Sequence, residues 1–220
     1  MRVEIVSLTA AGNDGINVCF ELSEGGNLCK ESFLISIEAF TRLGICKGEC
    51  DKELYDTVER EAEICAATRR GIYVLGFGAC SGQMLTAKLR EKGFSRECAA
   101  EAVRRIERQG YINEGDNAIR EAEICAAKLW GESRIKAKLM ERRYSREAIE
   151  SALFALEDGG VDYEANCKAL IDKRYRTLPT ERGEVQRLVA AVSRYGYNIA
   201  QIKKACAELT EERKISDIYR

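Results

Sequence analysis

The chemistry open to this chain is bounded first by a side chain it lacks. Its 220 residues include no histidine. That removes the usual general acid–base near neutral pH and the commonest metal ligand. Histidine-based triads and histidine-containing zinc sites are excluded with it. Ten cysteines remain, but they are scattered. Only Cys46 and Cys50 are closely spaced, and no Cys-x-x-Cys occurs. Cys65, Cys98, Cys125 and Cys206 fall inside helical patterns where alanine would serve, as expected of buried cysteine acting as a small hydrophobe. Metal or redox chemistry is the alternative. Gly76-Phe77-Gly78 invites a phosphate-loop reading but lacks Gly-Lys-Ser/Thr and the strand–helix context. Nothing places two carboxylates in an apolar pocket. The expectation is a protein without catalytic residues, cofactor or metal.

The remaining candidates are cations that could meet phosphates or an acidic protein surface. Arg104, Arg105 and Arg108 lie off the Val103/Ile106 stripe of one helix. Lys136, Lys138, Arg142, Arg143 and Arg146 cluster around a later turn, and Lys203 and Lys204 follow near the C-terminus. The competing reading is a solvated surface with ion pairs worth little each. Tyr111, Trp130, Tyr144, Tyr175, Tyr195 and Tyr197 could stack on bases or anchor an interface. Their recurrence at equivalent places favours packing roles.

The elements that must carry these residues change character near residue 51. Val3, Ile5 and Ser7, then Val18, Phe20 and Leu22, alternate as strands do. Glu24-Gly25-Gly26-Asn27 reads as a hairpin turn, and Phe33 to Ile37 as a third strand. A short helix over Glu38–Leu43 ends near Gly44. From Asp51, a helix cap, the period is helical, with Leu54, Val58, Ala62, Cys65 and Ala66 on one face and Gly71 closing the helix. With one proline, Pro179, glycine supplies most of the punctuation. Hydrophobic residues at 45% and charged residues at 32% suit a folded chain with a solvated surface. Residues 1–85 hold 8 Lys/Arg against 13 Asp/Glu, and residues 86–220 hold 27 against 23. The helical part is mildly basic. Met-Arg-Val-Glu-Ile-Val reads as a strand and not as a signal peptide. No apolar run nears the roughly 20 residues that span a bilayer. A cytoplasmic monomer is expected.

Internal repetition is the strongest feature. Ala87–Glu97 matches Ala137–Glu147 at an offset of 50, and Val103, Ile106 and Gly110 match Leu153, Leu156 and Gly160. A fainter copy includes Val192, Tyr197, Ile202 and Leu209. Arg60–Ala67 recurs identically at Arg120–Ala127, which marks the helix after Asp51 as the opening of an earlier repeat. In the copy from Asp116, one helix runs to about Trp130. A second starts at cap Ser133 and ends near Arg143, and a third starts at cap Ser145 and stops at Gly159 and Gly160. The expected fold is mainly α: tandem three-helix, helix-turn-helix-like repeats in an elongated array, with a small β-rich N-terminal region. The division is 1–50 for the β-rich region, then 51–110, 111–160 and 161–220 for the three helical repeats. A unit of roughly 50 residues is marginal alone and gains from stacking.

These residues resemble the RecX family of bacterial regulatory proteins. The signature lies at Ser81, Leu85, Lys88, Leu89, Lys92, Gly93, Phe94, Gly110, Tyr111, Ile112, Gly131, Arg134, Ile135 and Leu139. Leu43–Gly48 followed by Asp51 sits at the expected junction, so the likeness covers about residues 30 to 209. It implies three tandem three-helix units in a protein that lies in the groove of the RecA recombinase filament on DNA and restrains its ATP hydrolysis and strand exchange. The chain departs from the pattern at Gly78, Ala79 and Cys80, where arginines are usual. Glu114 stands for an aspartate, and Arg142-Arg143 for the usual Lys-Gly. The alternatives to a RecA modulator are a direct DNA binder using helix-turn-helix-like units and a scaffold for another protein.

Overall fold

The computed structural model describes residues 2–12, 15–25 and 27–218, with side chains described as far as residue 214. The chain forms two compact units, Met1–Ile112 and Asn113–Arg220.

The first unit opens with β1 (Arg2–Ala11), β2 (Gly15–Glu24) and β3 (Asn27–Ser36), followed by α1 (Ile37–Leu43) and the short β4 (Gly48–Cys50). All pairings are antiparallel, in the order β3-β2-β1-β4. The expected alternation holds through Val3 and Ile5 and breaks at a bulge before Ser7. Of the predicted hairpin turn, Gly26 lies outside the described residues, while Glu24 pairs with Asn27 across its end. The third strand starts six residues earlier than its pattern suggests. Residues 27–30 are exposed on both faces, so no alternation betrays them.

α2 (Lys52–Leu75) is capped by Asp51, whose carboxylate accepts from the Leu54 N–H at 2.7 Å. It serves two cores. Its first turns place Tyr55 and Val58 on the sheet, against Val3, Ile5, Val18, Phe20 and Ile35. Tyr55, Phe20 and Phe33 meet edge-to-face at 5.1–5.9 Å. Its later turns place Ile64 and Ala67 against α3 (Gly82–Glu91) and α4 (Arg96–Arg108), with Leu85, Leu89, Ala102 and Ile106 at the centre. The helix does not close at Gly71. That glycine is buried mid-helix, and a Cβ there would sit 2.5 Å from Ile106 Cδ1. Close approach of α4 demands it.

The second unit begins with α5 (Glu114–Ala126), α6 (Glu132–Glu141) and α7 (Arg146–Asp158) around Ala118, Ala122, Ile135, Leu139, Ile149, Ala152 and Leu156. Partners at the offset of 50 are buried in both units: Leu85 and Ile135, Leu89 and Leu139, Ala102 and Ala152, Ile106 and Leu156. The turns match as well. Gly93 (φ 96) and Arg143 (φ 58) hold the same left-handed position. The next residues, Phe94 and Tyr144, donate their N–H back to Leu89 and Leu139. Ser95 and Ser145 then cap α4 and α7. The identical octapeptides are not equivalent. The Ser95 N–H is held by Glu63 at 2.6 Å, and the Ser145 N–H by Glu114 at 3.2 Å. The second octapeptide therefore lies further along its helix, and Ile64 is 3% exposed where Ile124 is 49%.

α8 (Tyr163–Arg174), α9 (Arg182–Ser193) and α10 (Ile199–Ile218) complete the unit around Cys167, Ile171, Leu188, Val192, Tyr197 and Ile202. Asn198 and Gln201 cap α10 reciprocally: each side-chain oxygen accepts the other's backbone N–H, at 2.9 and 3.0 Å. Two expected helix starts differ. α5 begins at cap Asn113 and not Asp116. α6 begins at Gly131, which offers no side-chain cap, and Ser133 lies inside the helix. Gly131 is there because the α9–α10 turn presses on it. Its N–H donates to Tyr195 O at 2.7 Å, and a Cβ would fall 2.6 Å from Gly196 O. A backbone oxygen cannot swing aside, so close approach outweighs capping. Gly131→Ala is expected to cost about 1–3 kcal/mol in urea unfolding, as overpacking does. Gly183→Ala, which meets nothing within 4 Å, is expected to leave stability unchanged or raise it.

Candidate partner-binding surface

The ten predicted cations fall into three groups by what their own fold asks of them. Arg105 is structural. Its side chain is 16% exposed, and its guanidinium donates to both oxygens of Glu61, at 2.9 and 3.2 Å. Glu61 is buried where α2 passes from the sheet core to the helical core, and it also accepts from Arg42 of α1 at 2.5 Å. One carboxylate thus neutralises two guanidinium groups from different layers, the condition under which a buried charge is tolerated.

Arg104, Arg108, Lys138, Arg142, Arg146 and Lys204 reach solvent but face a carboxylate. Arg104 and Arg108 share Glu101 at 2.8 and 3.0 Å. Lys138 pairs with Glu141 at 3.0 Å, Arg142 lies 3.7 Å from Glu121, and Lys204 meets Glu164. Arg146 holds Glu150 at 2.7 Å while 86% exposed. The Glu150 carboxyl is kept below its ordinary range by that hydrogen bond and charge, with Lys136 adding to it. Lys136, Arg143 and Lys203 are exposed and form no ion pair among the described residues. Lys136 and Arg143 flank the exposed Met140 on the outer side of α6. The basic face does not recur from repeat to repeat. At the offset of 50, Phe154 and Asp158 stand where Arg104 and Arg108 do.

The N-termini of α4 and α7 are already occupied. Burial raises the Glu63 carboxyl, but hydrogen bonds from the Ser95 N–H and the Cys98 and Ser95 side chains outweigh it, and the net shift is downward. Glu63 therefore stays ionised where an incoming phosphate would otherwise meet a helix N-terminus. Glu114 takes the same place before α7. A phosphate approaching either helix start would have to displace that carboxylate.

Beside Gly131 the fold brings together Trp130, Tyr195 and Tyr197, candidate aromatics in the sequence, with Arg134 and Arg174, a grouping that the sequence did not indicate. The Arg134 guanidinium stacks 3.8 Å over Trp130 and 4.8 Å from the Tyr195 ring, and donates to Arg194 O at 3.1 Å. Arg174 covers Tyr195 at 4.7 Å and donates to its hydroxyl at 2.9 Å. Tyr197 is buried and donates to Leu129 O at 2.9 Å. The four-residue spacing of Trp130 and Arg134 was the available signal. Among the aromatics, Tyr144 and Tyr197 are core, while Tyr111 is 57% exposed.

No disulfide joins any of the ten cysteines. Burial raises the thiols of Cys65, Cys98, Cys125 and Cys206, and that of Cys167 to about 12, which disfavours the reactive thiolate. Among the described residues no group of three or more acidic or cysteine side chains is placed to hold a metal, and no helix is long and apolar enough to cross a membrane.

No family model matches the chain. It is 27% identical over 175 residues to a protein named Regulatory protein RecX from Caldanaerobacter subterraneus subsp. tengcongensis, a match spanning 79% of this chain and 86% of that protein. A crystal structure of regulatory protein RecX superposes with a TM-score of 0.69 at 18% identity, over 92% of this chain and 99% of that one. The crystal structure of RecX from Lactobacillus salivarius gives 0.57 at 17% identity, over 67% and 97%. At those identities the two structures speak for the fold.

Two substitutions separate framework from surface. Glu61→Gln is expected to destabilise by about 2–3 kcal/mol, less than the roughly 3–5 of a fully buried pair because Arg42 is half in water. Arg143→Gly relieves a left-handed backbone that costs an L-residue roughly 1–2 kcal/mol, and is expected to stabilise by about 1 kcal/mol after the added chain entropy. Urea unfolding reads both.

Proposed function

We propose that this chain, which belongs to the RecX family, is a regulatory protein that binds the RecA recombinase filament and restrains its ATP hydrolysis and strand exchange. The observation that carries the reading is the likeness to a regulatory protein along most of both chains. The signature residues have physical reasons that fit it: Gly131 admits the Gly196 turn, Arg134 stacks beside it, and Leu89 and Leu139 fill matching cores. A regulator of this kind needs a surface for a large partner and no reaction centre. Lys136, Arg143 and Lys203 are the cations with most freedom to meet one, with Arg146, Arg104 and Arg108 exposed behind weak surface pairs. In this reading the surface divides at residues 50, 110 and 160 into the β-rich region and three helical repeats.

The test is single-stranded-DNA-dependent ATP hydrolysis by the cognate recombinase. The intact chain is expected to inhibit it at substoichiometric to near-equal amounts. Lys136→Glu with Arg143→Glu is expected to raise the half-inhibiting concentration several-fold with unchanged helix content. Leu139→Asp, an unpaired charge in a core, is expected to unfold the second unit. No inhibition by the intact chain over a wide range of concentration would refute the reading.

A further inference from the structure

The end of α2 carries a surface that the fold does not account for. Phe77 is 76% exposed and Tyr73 57% exposed, and their rings meet edge-to-face at 4.9 Å. The Arg70 guanidinium lies 5.0 Å over Tyr73. Neither ring joins the apolar cluster of this unit, although their neighbours Ile72, Val74 and Leu75 do. The pair is held in place by backbone: the Phe77 N–H donates to Val74 O at 3.2 Å, and the Gly78 N–H to Leu75 O at 3.1 Å. One turn back, Arg69 and Ile72 line a cleft of about 610 Å³ whose other walls include Ile37 and Tyr111, both exposed.

Charge narrows the occupant. No aspartate or glutamate occurs between Glu63 and Glu91, while Arg69, Arg70, Lys88 and Arg90 do, in a chain with 36 acidic residues. The carboxylates that reach this region from elsewhere include Glu38, across the cleft, Glu61, held by the cleft-lining Arg105, and Glu107, which lies over Gly82 at the start of α3. The matching helix of the second unit, in which Glu114 takes the place of Glu63, has Ile124 and Lys128 where α2 has Tyr73 and Phe77. The feature is therefore not a requirement of the repeat. Exposed rings held by backbone, next to cations and away from carboxylates, suit a polymer that offers a flat base and a phosphate at each step.

We propose that the Tyr73–Phe77 pair, with Arg69 and Arg70, forms a stacking site for single-stranded nucleic acid. Duplex reading by helix N-termini is a different contact, and Glu63 and Glu114 fill those ends.

The experiment is fluorescence anisotropy of a labelled oligodeoxythymidine with the full chain and no recombinase, so its outcome is independent of filament regulation. The intact chain is expected to bind, with affinity falling as salt rises. Phe77→Ala is expected to weaken binding about fivefold or more, the lower range for loss of one stacked base, and Phe77→Trp to retain it. Arg69→Gln with Arg70→Gln is expected to lower the slope of log affinity against log salt by about 0.7 for each phosphate that is no longer neutralised. Circular dichroism and the emission of Trp130, in the other unit, monitor folding. Absence of binding by the intact chain overturns the proposal, as does equal binding by Phe77→Ala. So does a Phe77→Ala variant that loses recombinase inhibition while binding the oligonucleotide normally, which would make the ring a protein contact.

Discussion

The first unit depends on one carboxylate. Glu61 sits at the point on α2 where the helix leaves the sheet and enters the helical triplet, and it is buried. Alone there it would be strongly unfavourable. Arg42 reaches it from the layer of the sheet and Arg105 from α4, so its presence ties the β region to the helices. This also decides what Arg105 can do. A guanidinium committed to a buried carboxylate cannot also serve a partner without loosening the unit. Arg104 and Arg108 are solvated and can exchange Glu101 for another anion.

The second unit solves the corresponding problem with backbone. Gly131 and Gly196 bring the start of α6 and the α9–α10 turn within hydrogen-bonding reach, and a Cβ on either glycine would collide with main-chain atoms. Around that contact the guanidinium groups of Arg134 and Arg174 stack with Trp130 and Tyr195. Such contacts are worth more when partly desolvated, as the half-buried Trp130 and Tyr195 are. The two helical triplets of this unit are thereby fixed to each other by backbone geometry, alongside the apolar contacts of Leu129 and Tyr163 with the core of the last triplet.

Much of this was legible in the sequence where local chemistry decides. Asp51, Ser95, Ser145 and Asn198 cap the helices that follow them because short oxygen-bearing side chains satisfy open N–H groups. The apolar stripes through Leu89, Leu139, Ile106 and Leu156 are buried as their spacing requires. Legibility ended where the cause lies far along the chain. Gly71 and Gly131 read as punctuation or as nothing, because the atoms that demand them belong to Ile106 and Gly196. Arg105 reads as one more surface arginine until Glu61 is placed beside it. The repeated octapeptide misleads for the same reason: its burial depends on the surrounding helices, and Ile64 and Ile124 differ accordingly. Of the candidate surface, the residue types were visible. Which cations their own fold had already engaged was not.

The central claim is that the chain engages a recombinase filament, and co-sedimentation addresses it directly. Filaments of the cognate RecA assembled on single-stranded DNA are pelleted with increasing amounts of the chain. Saturable recovery of the chain in the pellet, well above what the same DNA retains without recombinase, is the predicted result. A chain that stays in the supernatant at every ratio, or that pellets equally with DNA lacking recombinase, would contradict the account.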